Sequence, residues 1–275
     1  LLETFADLIE ILGEKDPQSL STLLELPGLS ELELSQELID PIGLYEAKLF
    51  LESYFGGGLS KSLRTLLITL NQACAFCWPK GVGARKMTSL AWRWLAAGGD
   101  IEVRREALGV VRGNSMTLSR AVLTALKPVD CHERQIALSE FYNLWKERPV
   151  ILDSWFSLEA SIPRVDGIKR VQELLEHPRF DCMAPNAIRA VLGGFASNAK
   201  LFHSIDGIGY RFMAEQIVEL DQRNPITASR MAKVFSRWRS YMPVNSEAMF
   251  KSLTKLSESE LSPNTREVIE SILRK

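Results

Sequence analysis

The chain has 275 residues, 46% hydrophobic, 24% charged and 8% aromatic, a balance that excludes disordered, collagen-like and low-complexity classes. Lys plus Arg total 33 against 34 Asp plus Glu, a formal net charge of -1. A protein that neutralises many phosphates carries a basic excess, so a dedicated nucleic-acid binder is disfavoured. No apolar run approaches the roughly 18 residues of a membrane-spanning helix. The four cysteines are too few for a secreted disulfide scaffold, which points to a reducing, cytoplasmic setting.

The opening Leu1-Leu2-Glu3-Thr4-Phe5 has no initiator Met and no basic leader, and is expected to be the cut end of a longer polypeptide. From there apolar residues recur at three- and four-residue spacings, over 46–55, 63–76, 87–95, 135–145 and 268–273. That is the period of amphipathic helices. Residues 56–58 (Gly-Gly-Gly) and 78–83 are expected to be inter-helix loops, glycine and proline being the strongest punctuators. Helix-start signals recur at Asp40-Pro41, Ser60, Asp100, Ser115, Asp130, Asp166, Asn186, Asp206, Asn224-Pro225, Asn245 and Ser262-Pro263. In the second half they fall about 15 to 20 residues apart, one modest helix plus a short turn, so successive helices should be antiparallel neighbours. The expected fold is all-α: a superhelical stack of antiparallel helix pairs, α-solenoid-like in the manner of HEAT or armadillo arrays, over one domain of residues 1–275.

Self-contained chemistry is missing from the pattern. Cys74 and Cys77 have zinc-ligand spacing, but no second pair follows, and both sit in an apolar helical run, leaving core packing, or else redox or metal chemistry, as readings. His132-Glu133-Arg134-Gln135-Ile136 begins like a zinc-peptidase helix but has Ile136 where the second histidine is needed to grip the metal. Phosphate-cradling glycine fingerprints and nucleophile elbows are lacking. Glu258 and Glu260 read as solvated surface. Trp92 and Trp94 around Arg93, and Trp238 between Arg237 and Arg239, mix rings with cations as base-stacking sites do. Amphipathic helix positions produce the same pattern.

A helix is expected from Pro225 to about Tyr241. Its 100° spacing puts Met231, Val234, Phe235 and Trp238 on a core stripe, and Ile226, Arg230, Lys233 and Arg237 on another face. That second face is either solvated or lines a concave surface that meets an anionic group, work that suits the arginine fork. Arg189 similarly stands beside the core stripe Ile188, Val191, Leu192 and Phe195.

From Leu152 to Arg230 the sequence resembles the C-terminal helical domain of bacterial aminopeptidase N, the alanyl aminopeptidases of the zinc-dependent gluzincin family. The resemblance rests on Asp153-Ser154-Trp155-Phe156, Pro185-Asn186-Ala187-Ile188-Arg189, residues 202–210 (FHSIDGIGY) and residues 223–230 (RNPITASR). Weaker matches extend through Asn114-Ser115-Met116-Thr117 to Ile39-Asp40-Pro41-Ile42. The resemblance implies a helical superhelix that caps the catalytic domain and encloses the active-site chamber. It places the zinc-binding His-Glu-x-x-His helix, the Gly-x-Met-Glu-Asn loop and the catalytic Tyr N-terminal to this domain, so this chain would hold no catalytic residue and no metal, with zinc in the full-length enzyme. It also implies that Arg189 and Arg230 help hold the C-terminal side of a peptide. Ile226 stands where the family carries a Gln near the pocket for the first side chain. Implied partners are the N-terminal and catalytic domains of the same polypeptide and a peptide substrate, with neither nucleic acid nor membrane. The alternative is a free-standing α-solenoid scaffold that binds proteins.

Overall fold

The computed structural model describes residues 1–75, 79–113 and 115–274. Among them all regular structure is helical, and β pairing is limited to the isolated bridge between Ile39 and Tyr241. The expected all-α class holds. The Cys74–Cys77 pairing, the Trp78 end of the expected loop and the Asn114 match lie partly outside the described residues. Contacts divide the chain into two units, residues 1–29 with 46–146, and residues 30–45 with 147–275.

In the first unit α1 (Leu2–Leu12), α2 (Pro17–Leu24), α5 (Ser60–Cys74), α6 (Val82–Ala97), α7 (Ile101–Arg112), α8 (Met116–Leu126) and α9 (His132–Trp145) stack on one another. Helix α6 is the hub, packed against α2, α5 and α8, and α7 bridges α8 to α9. Met87, Leu90, Ala91, Trp94 and Leu95 of α6 are buried, and removing a Met or Leu side chain from water stabilises the fold by roughly 1.5–3 kcal/mol. Two of the expected caps start helices here: Asp100 accepts from Val103 N at 3.1 Å and Ser115 from Leu118 N at 3.4 Å. Asp130 does not cap α9; it pairs with the buried Arg134 at 2.7 Å, whose guanidinium also donates to the Lys127 and Val129 carbonyls.

Helix α4 (Pro41–Gly58) begins as expected, Asp40 accepting from Gly43 N at 2.9 Å. Residues 56–58 correct the loop expectation, because they form its last turn. Gly56 lies so close to α6 that a Cβ there would overlap the Trp94 carbonyl. Close approach of two backbones, not a break, is what glycine supplies here. Phe55 stacks on Trp94 at 4.9 Å.

The second unit contains α3 (Leu29–Leu34) from Ser30 on, α10 (Pro149–Ser161), α11 (Gly167–Leu175), α12 (Pro185–Ile188), α13 (Gly194–Ala196), α14 (Ala199–Phe202), α15 (Ile208–Arg223), α16 (Pro225–Ala232), α17 (Pro243–Ser257) and α18 (Pro263–Arg274). A π-helical turn, Arg189–Gly193, joins α12 to α13 and packs on α10. Helices α15 and α16 pair, α16 meets α18, and α17 meets both α15 and α18. Phe195 holds edge-on contacts with Phe202 at 5.9 Å and Phe212 at 5.2 Å. Buried Asp221 near the end of α15 accepts from the Ser262 hydroxyl at 2.7 Å and from Thr265 Oγ1, fastening the start of α18. Buried Glu159 binds Arg164 at 2.6 Å and Arg170 at 3.1 Å, tying α10 to α11.

Candidate functional site

Helix α16 is set by its cap. Asn224 Oδ1 accepts from Thr227 N at 3.1 Å and Pro225 occupies the first helical position. Thr227, Ala228, Met231 and Ala232 are buried, which turns Ile226 and Arg230 outward, one helical turn apart. Ile226 is 59% exposed. The Arg230 side chain makes no hydrogen bond or ion pair among the described residues, and neither does that of exposed Lys233.

The helix does not run to Tyr241. It stops at Ala232, followed by 3-10 turns at Lys233–Phe235 and Trp238–Ser240, and Tyr241 is extended. Distant acceptors supply the reason. Trp238 Nε1 donates to the Ile272 carbonyl at 3.2 Å, and the Arg239 guanidinium donates to Ile272 at 3.1 Å and Leu273 at 2.6 Å, capping the carbonyl end of α18. Trp238 stacks on Phe250 at 5.1 Å, and the Arg239 guanidinium lies over the Trp238 ring at 4.0 Å. The expected shared face therefore splits: Arg237 leaves it and pairs with Glu33 at 2.8 Å.

Arg189 opens the π turn, which touches α16. Ile188, Val191, Leu192 and Phe195 are buried as expected and Arg189 is exposed. Its guanidinium folds back along its own helix, Nε donating to the Pro185 carbonyl at 3.2 Å and Nη2 to Asn186 Oδ1. Asn186 thus holds an arginine rather than capping a helix.

A second polar cluster escaped the reading of the residues. His203 Nδ1 and Tyr210 Oη are 2.8 Å apart, and Asn245 Nδ2 donates to Tyr210 Oη at 2.9 Å and to the His203 carbonyl at 3.1 Å. All three are buried. Since Tyr210 Oη accepts from Asn245, its hydrogen is free for His203 Nδ1, and burial lowers the histidine to about 4, which keeps the ring neutral. Asn245, expected as a cap, lies within α17, which starts at Pro243. Gly207, between His203 and Tyr210, takes a φ of +67° at the entry to α15, a conformation that favours glycine.

None of these residues fits a metal. No group of three or more His, Cys, Asp or Glu able to hold one occurs among the described residues. His203 Nδ1 is taken by Tyr210, and His177 Nδ1 accepts from Arg179 N at 3.1 Å with its ring edge-on to Phe156. Buried Cys74 lies 3.3 Å from Thr88 Oγ1, and burial pushes its thiol up, away from the reactive thiolate. Trp92 and Trp94 are buried, so neither ring is presented for stacking, and Arg93 pairs with Glu25 at 2.5 Å and Glu52 at 3.0 Å. No helix of the described residues is long and apolar enough to cross a membrane.

Stacked helix pairs carrying a capped, outward-facing arginine helix define a helical-repeat protein. The chain belongs to the family described as a domain of unknown function with ARM repeats, DUF3458_C, which matches residues 1–274. It is 30% identical over 252 residues to aminopeptidase N of Escherichia coli (strain K12), covering 90% of this chain and 29% of that protein. Aminopeptidase N of Caulobacter vibrioides is 30% identical over 257 residues, 92% of this chain and 30% of the relative. The crystal structure of Legionella pneumophila aminopeptidase A in complex with aspartic acid superposes with a TM-score of 0.89 and 26% identity, over 99% of this chain and 33% of that one. The resemblance to the C-terminal helical domain of bacterial aminopeptidase N is borne out. The chain spans about 30% of the length of these curated relatives.

Proposed function

We propose that this chain, as one domain over residues 1–275, is the non-catalytic C-terminal part of a cytoplasmic zinc aminopeptidase that removes N-terminal residues from peptides. It caps the active-site chamber and helps hold the C-terminal side of the peptide; zinc and the bond-cleaving residues belong to the rest of the polypeptide, and the chain alone is inactive. The observation that carries the reading is the match to aminopeptidases along nine-tenths of this chain but under a third of theirs.

Arg230 supports the positioning role. Its helix is pinned by the Asn224 cap and its guanidinium has no partner among the described residues, so the donor fork is free for a carboxylate. Arg189 keeps part of its fork occupied by Asn186 and acts as the secondary contact. Ile226, a turn before Arg230, makes the rim of the first side-chain pocket apolar.

The test is Arg230→Ala in the full-length enzyme. KM for peptides rises about tenfold, the value of one charge-assisted contact, while kcat and melting temperature stay unchanged. An unchanged KM, or loss of folding, overturns the role. Chelator-sensitive hydrolysis of an alanyl chromogenic substrate by the purified chain overturns the assignment of catalysis to the rest of the polypeptide.

A further inference from the structure

Helix α4 is apolar where it is covered and apolar where it is not. Phe55 is buried inward beside Trp94, and buried Glu52 meets Arg93 at 3.0 Å. On the opposite side Ala47, Phe50, Leu51, Tyr54, Gly57 and Gly58 are all exposed, Phe50 at 68%, Tyr54 at 51% and Leu51 at 41%. Their spacing of three and four places the six within an arc of about 120° that carries no charged residue. The Phe50 and Tyr54 rings stack at 6.5 Å with 19° between their planes, making a flat aromatic plate. A Cβ on Gly57 would meet nothing, so the plate continues onto bare backbone. Isolated exposed apolar residues are ordinary on protein surfaces; these instead run unbroken over three turns of one helix.

We propose that this stripe of α4 docks the remainder of the same polypeptide, the part of the aminopeptidase that this chain does not include. The inference rests on the proposed function and adds to it the surface by which the domain is held. Size favours that occupant over a second copy. Twelve residues rise about 16 Å, and a third of the helix circumference over that length is roughly 200 Å². Freely associating copies need about 800 Å² from each partner. A tethered partner acts at an effective concentration near the millimolar range, so a stripe of this size suffices to hold it. The relatives supply that tether, since this domain is about 30% of their single chains.

Hydroxyl-radical footprinting read by mass spectrometry tests the proposal without any substitution. Oxidation at Phe50 and Tyr54 is compared between the 275-residue chain and the full polypeptide that contains it. The expected result is at least a fivefold protection of both rings in the full polypeptide, and no protection in the isolated chain as its concentration is raised. Equal oxidation in the two overturns the proposal; so does concentration-dependent protection of the isolated chain, which assigns the stripe to a second copy. Phe50→Glu with Tyr54→Glu, both solvent-facing, should leave the isolated chain folded and lower the melting temperature of the full polypeptide; an unchanged melting temperature there also overturns it. The readouts separate the two readings. Unprotected rings in an active aminopeptidase sink the docking surface alone, and protected rings in a polypeptide without peptidase activity sink the function alone.

Discussion

Arg237 and Glu33 stand 204 residues apart in sequence, yet the Arg237 guanidinium donates to Glu33 Oε2 at 2.8 Å. Beside them Ile39 N donates to the Ser240 carbonyl at 2.8 Å and Met242 N to the Ile39 carbonyl at 2.9 Å. These contacts are why residues 30–45 belong with the second unit. They also account for Tyr241, whose hydroxyl is pushed up to about 12 by burial, with the Glu33 carboxylate adding to the effect.

A double-mutant cycle with Arg237→Met and Glu33→Gln should give a coupling of about 1 kcal/mol, the value for a partly exposed, charge-assisted pair. Urea melts of the four proteins measure it. The coupling should shrink as salt is raised; a value indistinguishable from zero at low salt would make the pair incidental.

Gly56 and Gly57 are adjacent in α4 but should respond in opposite directions. Gly56→Ala places a Cβ into the Trp94 carbonyl and should destabilise the chain by about 2–3 kcal/mol through overpacking. Gly57→Ala meets nothing and should add a few tenths to about 1 kcal/mol from helix propensity. Thermal melts of the two variants decide, and equal effects would contradict the close approach of α4 to α6.

The buried His203 makes stability depend on pH. Its folded value of about 4 lies below the ordinary 6.5, so the unfolded chain binds the proton first as pH drops. The stabilisation is full above about pH 6.5 and is lost progressively down to about pH 4, with a ceiling of about 3 kcal/mol. His203→Gln should flatten that slope in chemical-denaturation curves taken between those limits, and an unchanged slope would remove His203 as its source.

Ile226→Gln should leave the melting temperature unchanged, because the side chain is exposed. In the full-length enzyme it should shift the ratio of kcat/KM between apolar and polar first residues by up to about tenfold, the range available to one pocket contact. An unaltered ratio across a panel of aminoacyl substrates would place Ile226 away from that pocket.

Much of this architecture is legible in the residues because helix formation is local. The Asn224-Pro225 and Ser262-Pro263 starts hold, with Thr265 N donating to Ser262 Oγ at 3.4 Å, since an N-cap needs only its own next three residues. Asp206 lies one residue before the N-cap Gly207 of α15 and accepts from Ile208 N at 3.1 Å. The apolar stripe of residues 188–195 is buried in full, although a π turn interrupts it. The end of α16 was not legible, because the acceptors that draw Trp238 and Arg239 out of the helix sit on α18. Of the candidate site, the outward positions of Ile226, Arg230 and Arg189 follow from periodicity, whereas the state of each arginine does not.

The sequence by itself determined an all-helical chain, most helix starts, the core stripe of residues 188–195 and the kinship with aminopeptidase C-terminal domains, all carried by spacings of three, four or a few residues. Tertiary structure alone decided that Arg237 is spent on Glu33 while Arg230 has no partner among the described residues, that three glycines form a helix turn instead of a loop, and that His203, Tyr210 and Asn245 close into one buried network. The physical reason is range. Helical period and capping are satisfied within a turn of chain, but the partner of a charge, the backbone that presses on a glycine and the burial that holds a histidine neutral are supplied by segments tens to hundreds of residues away.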